Sequence, residues 1–246
     1  MPTDVTPQSE LDPPAGNSAR DGVTVSRESN PPHPAAAAML SAAGIILCGG
    51  RSSRMGQSKA WLRIGPETFL QRIVRTMQPV LRPIIIVAAV DQPLPELPAE
   101  IEIVRDEQPD LGPLASMAIG LQAVAARHPE AIAYVSSTDV PLLRPEFIRA
   151  VLSQLGTADI AIPTEGRFAH PLAACYRVGI APILHELLHA GQRRPAALLD
   201  RVATQRIDID WLRTVDPELD SLCNANTPEE YSALLARVGQ TMVDPP

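Results

Sequence analysis

Seven short apolar or alternating runs, each bounded by turn residues, set the rhythm of this chain: GIILC (44–48), IIIVAA (84–89), IEIVRD (101–106), AIAYVSS (131–137), DIAIP (159–163), HPLAACY (170–176) and TQRIDID (204–210). Runs of this length, rich in Ile, Val and Ala and closed by Gly, Pro or Asp, predict strands. Between them lie stretches with helical spacing. ETFLQRIVRTMQPVL (67–81) places Phe69, Ile73 and Met77 on one face, and GPLASMAIGLQAVAARH (112–128) forms a second helix. Further helices are expected over 145–155, in pieces over 178–202, and at the end of the chain. That last helix starts with Thr227 as N-cap, Pro228 at the first helical position and Glu230 three residues after the cap, a capping-box arrangement. VDQPLPELPAE (90–100) carries three prolines and is read as a loop. Apolar strands alternating with amphipathic helices predict an α/β fold, a mainly parallel sheet with helices on both faces, and ligands at the carboxyl ends of its strands.

Composition adds a boundary. Residues 1–38 hold seven prolines among Ser, Asp, Asn and Gly, with almost no large apolar side chains, so they bury too little surface to offset the entropy of ordering. They are expected to be a disordered Pro-rich tail, with 39–246 as a single domain; Met39, just before the first strand, also fits a start site. Net charge is -7 and aromatics are 3%, which argues against a basic nucleic-acid footprint and against base-stacking platforms. The apolar stretch 34–48 is too short and too broken to span a membrane, and it lacks the basic start of a signal peptide. Cys48, Cys175 and Cys223 form no CxxC pair and fit a reducing cytoplasm.

The candidate chemistry sits directly after the first strand, in LCGGRSSRMGQSK (47–59). Gly49 and Gly50 let backbone amides approach an anion, while Arg51, Arg54 and Lys59 add three cations within nine residues. Lys59 is the single lysine beside twenty arginines. A solvated basic loop is the plain alternative. The spacing is not that of a Walker A loop, because Gly56 and Lys59 are three apart and Ala60 follows, and it is not GxGxxG either. Asp139 closes the apolar run of 131–138 and precedes Val140-Pro141, which puts a carboxylate at a strand's carboxyl end, where Mg²⁺ could be held with substrate phosphates. A turn-initiating Asp would look the same.

The loop LxGGxSxRMGxxK resembles the signature of the molybdenum cofactor guanylyltransferases. Five more segments follow in order: RDEQPDLGPLASM (105–117), YVSSTDVPLL (134–143), EGRFAHPLAACY (165–176), HAGQRRP (189–195) and CNANTPEEY (223–231). The resemblance covers about residues 44–239. It implies a Rossmann-like, GT-A-like nucleotidyltransferase fold, in which GMP passes from GTP to the phosphate of molybdenum cofactor (molybdopterin) with release of pyrophosphate. By the same resemblance Leu47, Cys48, Gly49, Gly50, Lys59 and Asp106 contact the nucleotide. Asp139 holds Mg²⁺ and the triphosphate, Lys59 and Arg54 assist catalysis, Asn224 and Asn226 line the acceptor side, and Arg193 and Arg194 are candidates for its phosphate. GTP and the cofactor are the implied partners, together with proteins that deliver or receive the cofactor; no nucleic acid or membrane is implied. Three positions depart from the family pattern: Cys48 stands for Ala, Ser58-Lys59 for Asp-Lys, and the Asn of the second strand falls at or near Val87.

One rival reading has residues of its own. HELLH (185–189) is an HExxH spelling that on a helix would present two imidazoles to zinc, although the metzincin continuation fails at Gln192. The same fold would also serve a cytidylyl or sugar nucleotidyltransferase, or a non-catalytic nucleotide-binding adaptor.

Overall fold

The computed structural model describes residues 42–49, 58–107 and 111–240. The Pro-rich segment 1–38, Gly50 and Arg54 lie outside the described residues. In chain order the elements are β1 (Ala43–Leu47), β2 (Arg63–Ile64), β3 (Glu67–Thr68), α1 (Phe69–Met77), β4 (Ile84–Ala89), β5 (Glu102–Asp106), α2 (Pro113–Ala125), β6 (Ile132–Ser137), α3 (Pro145–Ser153), β7 (Ile160–Glu165), β8 (Phe168–Ala169), β9 (Ala174–Arg177), α4 (Ala181–His189), β10 (Thr204–Asp208), α5 (Ile209–Leu212) and α6 (Pro228–Arg237).

The main sheet has the order β10-β7-β9-β6-β1-β4-β5, with β8 paired to β7. β1 pairs in parallel with β4 and β6, β4 with β5, and β7 with β10. β9 is the exception among the long strands, antiparallel to both β6 and β7. Its direction follows from the connection. The turn after Glu165 reverses at Gly166, whose φ of 57° suits a residue without Cβ, and leads directly into β8 beside β7. No helix intervenes to carry the chain back across a sheet face, as a parallel partner would require. His170 to Ala173 then form a short 3-10 turn instead of the expected continuous strand, and the strand itself begins at Ala174.

Alternation along the strands builds two cores. On one face Ile46, Ile86, Tyr134 and Cys175 pack with Leu70, Ile73 and Met77 of α1 and Phe147, Ile148 and Val151 of α3. On the other, Ile45, Val87, Val135 and Tyr176 pack with Leu114, Met117 and Leu121 of α2 and Leu184 and Leu187 of α4. α2 lies unusually close to the sheet. A Cβ at Gly120 would stand 2.6 Å from Cγ2 of Ile45, closer than carbon atoms tolerate, so glycine sets that approach.

A third, smaller cluster joins Leu62, Ile64 and Phe69 to Leu142, Ala225, Leu234 and Leu235. It fastens the β2-β3 hairpin and α6 beside the turn after β6, with Tyr231 meeting Phe69 edge to face at 5.6 Å between ring centres. α1 starts with a full capping box: Thr68 Oγ1 accepts from the Gln71 amide, and Gln71 Oε1 accepts from the Thr68 amide. Among the described residues no helix is long and apolar enough to cross a membrane.

Candidate active site at the carboxyl ends of β6, β1, β4 and β5

Four parallel neighbours end along one edge, and the predicted site residues stand at those ends. Asp139 follows β6, Cys48 and Gly49 follow β1, Ala89 closes β4 and Asp106 closes β5. With neighbouring strands about 4.8 Å apart, the three steps from β6 to β5 span roughly 14 Å, the reach of an extended nucleoside triphosphate. The strand ends are tied together: the Thr138 amide donates to the Leu47 carbonyl at 3.2 Å, and the Cys48 amide to the Val87 carbonyl at 2.8 Å.

At the β6 end, three distant segments meet. Lys59 Nζ donates to Asn226 Oδ1 at 2.6 Å and lies 3.2 Å from Asp139 Oδ2. Both members of the ion pair are about four-fifths shielded, so solvent screens them less than a surface pair. Ser137 Oγ donates to the other carboxylate oxygen of Asp139. The chain itself carries Asn226 here. The Ala225 amide donates to the Asp139 carbonyl at 2.9 Å, and the Glu230 carboxylate accepts from the Asn226 amide at 2.6 Å. Thr227 Oγ1 caps α6 by accepting from the Glu230 amide, as expected, but Glu230 reaches one residue further back than a standard capping box and grips Asn226. Asn224 is exposed.

At the β5 end, Asp106 is 2% exposed, and Ser116 Oγ from the first turns of α2 donates to its Oδ2 at 2.9 Å. Gly112, with φ 83°, opens α2 just beyond it, and a Cβ there would meet the Arg193 carbonyl oxygen at 3.4 Å. Arg193 therefore sits against the start of α2, its Nη1 donating to the carbonyls of Leu188 and Gln192, where it closes the end of α4. Arg194 is exposed. Val87, at or near which the family Asn was sought, is wholly buried in the α2-side core.

Between the two ends lies the mouth of β1. The Leu47 side chain is in the core, so any ligand contact from it runs through the backbone. Gly49 is exposed, and among the described residues a Cβ built on it meets nothing within 4 Å. Cys48 is buried, and burial pushes its thiol up to about 12, which keeps it a neutral hydrophobe. The residue that sequence reasoning missed is Gln92, in the proline-rich loop, whose side chain reaches Cys48 and Ser58. Its only signal was a polar residue just past a strand's carboxyl end.

The HELLH residues take separate partners. His185 Nε2 meets Gln122 Oε1 at 3.1 Å, and Glu186 pairs with Arg201 at 2.9 Å on the surface. Among the described residues no three His, Cys, Asp or Glu side chains gather as a metal site.

Residues 44–206 match the model of the MobA-like NTP transferase domain. A probable molybdenum cofactor guanylyltransferase of Mycobacterium avium is 39% identical over 196 residues, spanning 78% of this chain and 94% of that one. Its counterpart in Mycobacterium tuberculosis is 38% identical over 192 residues, spanning 75% and 89%. Among solved structures, molybdopterin-guanine dinucleotide biosynthesis protein A of Archaeoglobus fulgidus shares the fold with a TM-score of 0.66 at 20% identity, covering 80% of this chain and 98% of that one. The 2-C-methyl-D-erythritol 4-phosphate cytidylyltransferase of Thermus thermophilus shares it with a TM-score of 0.58 at 14% identity, covering 80% and 99%. The fold is thus common to guanylyl- and cytidylyltransferases, whereas the sequence relatives at 38–39% carry the guanylyl name; the chain belongs to the MobA-like NTP transferase family.

Proposed function

We propose that this protein transfers GMP from GTP to the terminal phosphate of molybdopterin, forming the guanine dinucleotide cofactor and pyrophosphate. The observation that carries the reading is the meeting of Lys59, Asp139 and Asn226 at the carboxyl end of β6 in a chain of this family. An acceptor phosphate oxygen bonds to the α-phosphorus of GTP while the bond from that phosphorus to the bridging oxygen breaks, and pyrophosphate departs with the electron pair. The attacking oxygen is already anionic, so the protein supplies position and charge complementarity in place of a general base. Lys59 turns from Asp139 to phosphate oxygens, Gly49 offers its amide, and Asn226 keeps its hold on Lys59 from the side on which the acceptor enters.

Asp139 is the residue that would hold Mg²⁺. A single carboxylate at a strand's carboxyl end fits an ion that keeps most of its shell for water and substrate phosphates, and the chemistry supplied when it is bound would be charge neutralisation on the phosphate oxygens. At the far end, Asp106 accepts from the donor edge of guanine, with Ser116 fixing the orientation of its carboxylate. Three thiols without a disulfide, and a chain working on soluble substrates, support a cytoplasmic place of action.

A thermal-shift panel tests the reading. GTP with Mg²⁺ at about 100 times its Kd stabilises the fold by roughly 2.7 kcal/mol, and CTP does not. A larger shift with CTP would move the assignment to a cytidylyltransferase, and no shift with any nucleotide would leave a protein that does not use one.

A further inference from the structure

The segment after β1 carries Gly49 and the segment before α1 carries Lys59, ten residues apart yet, on the reading above, required to act on one triphosphate. The Gln92 side chain touches both. Its Nε2 donates to the Cys48 carbonyl at 2.8 Å and to Ser58 Oγ at 3.2 Å, with Cys48 Sγ a further 3.4 Å contact. Its Oε1 accepts from the Ala89 amide at 3.3 Å. The backbone beneath is pinned as well: the Gln92 amide donates to the Ala89 carbonyl, and Arg105 Nη1 donates to the carbonyls of Ala89 and Gln92 at 2.9 Å each. On the Lys59 side, Trp61 Nε1 donates to the Pro93 carbonyl at 3.1 Å, so the same short stretch of loop holds the chain on both sides of Lys59.

We infer that Gln92 is a positioning residue of the nucleotide site, an amide strut that fixes the spacing between the Gly49 backbone and the Lys59 ammonium and so sets affinity for the phosphate end of the nucleotide. The amide suits this task because it presents two N–H donors to two acceptors and one carbonyl to one donor. A glutamate of the same length would face the Cys48 carbonyl with a second acceptor and no proton to share. Nothing in this places Gln92 on the substrate; it acts through Cys48 and Ser58. The inference rests on the nucleotide-binding reading above.

The test measures binding directly, by calorimetric titration of wild type, Gln92→Glu and Gln92→Ala with GTP, pyrophosphate and guanosine, with melting recorded for each. Expected are Kd values for GTP and pyrophosphate raised about tenfold, the cost of one or two hydrogen bonds. Guanosine binding should stay unchanged, because on the reading above the base end lies at β5. A general loss of structure would instead weaken all three ligands together, and that result, or unchanged affinities in both variants, would overturn the inference alone. Failure of the wild type to bind GTP or pyrophosphate would overturn the functional reading and this inference with it.

Discussion

The two ends of the site are built on different plans. At the β6 end, Lys59, Asp139 and Asn226 come from three remote parts of the chain and satisfy one another before any ligand arrives. At the β5 end, the Asp106 carboxylate is sunk almost completely into the protein, with the Ser116 hydroxyl donating to it. The first arrangement joins one ion pair to a neutral amide, and on the proposed reading it serves phosphates that enter and leave. On the same reading the second is a fixed acceptor for a base edge, so that chemistry and selectivity would be separated by the width of three strand spacings.

Breaking the phosphate end should have the largest effect. Lys59→Arg keeps the charge but replaces a compact ammonium, held 2.6 Å from Asn226 and 3.2 Å from Asp139, with a broad planar fork. A loss on the order of 100- to 1000-fold in kcat is expected, read as steady-state pyrophosphate release at saturating GTP. Near-normal turnover would reduce Lys59 to a generic cation. At the base end, Asp106→Asn removes a charged acceptor worth about 1.5–3 kcal/mol, so kcat/KM for GTP should fall roughly 10- to 150-fold while that for CTP changes little. A parallel fall for both nucleotides would detach Asp106 from selectivity.

Smaller effects sharpen the same contrast. Gly120→Ala should push α2, which carries Ser116, off β1 and cost about 1–3 kcal/mol by urea unfolding, less the helix-propensity gain of roughly 1 kcal/mol. An unchanged midpoint would mean that the sheet yields at Ile45. The least effect concerns Cys48. Burial covers the Cys48 thiol and pushes it up, away from the thiolate, so iodoacetamide on the folded protein should label the partly exposed Cys223 and spare Cys48, with activity retained. Fast labelling of Cys48 would show that the mouth of β1 is more open than its burial indicates.

How much of this the sequence discloses depends on whether a feature is local. The strands and helices are legible because burial on two faces writes itself as short Ile/Val/Ala runs, and because caps such as Thr227 announce a helix by themselves. The reversal of β9 is a matter of connection. EGRF is too short to hold a crossover helix, a signal that was present but lay in a turn rather than in any strand. The close approach at Gly120 depends on Ile45, seventy-five positions away, and nothing in the helix's own sequence marks it. Site residues follow the same rule. Asp106 and Asp139 are legible as charges at strand ends, and Lys59 as the lone lysine of a glycine-rich loop. Gln92 is not, since an amide in a proline-rich loop shows its use only when Cys48 and Ser58 are brought beside it. Arg193, read as a phosphate ligand, spends its guanidinium on the end of α4.

The most direct test of the central claim is a single-turnover assay with molybdopterin as acceptor, comparing GTP with CTP for wild type and Asp139→Asn and reading dinucleotide and pyrophosphate together. The account predicts one pyrophosphate per guanine dinucleotide with the wild type and GTP, little product with CTP, and none from the folded Asp139→Asn variant. Greater product with CTP, or wild-type turnover by Asp139→Asn, would contradict it.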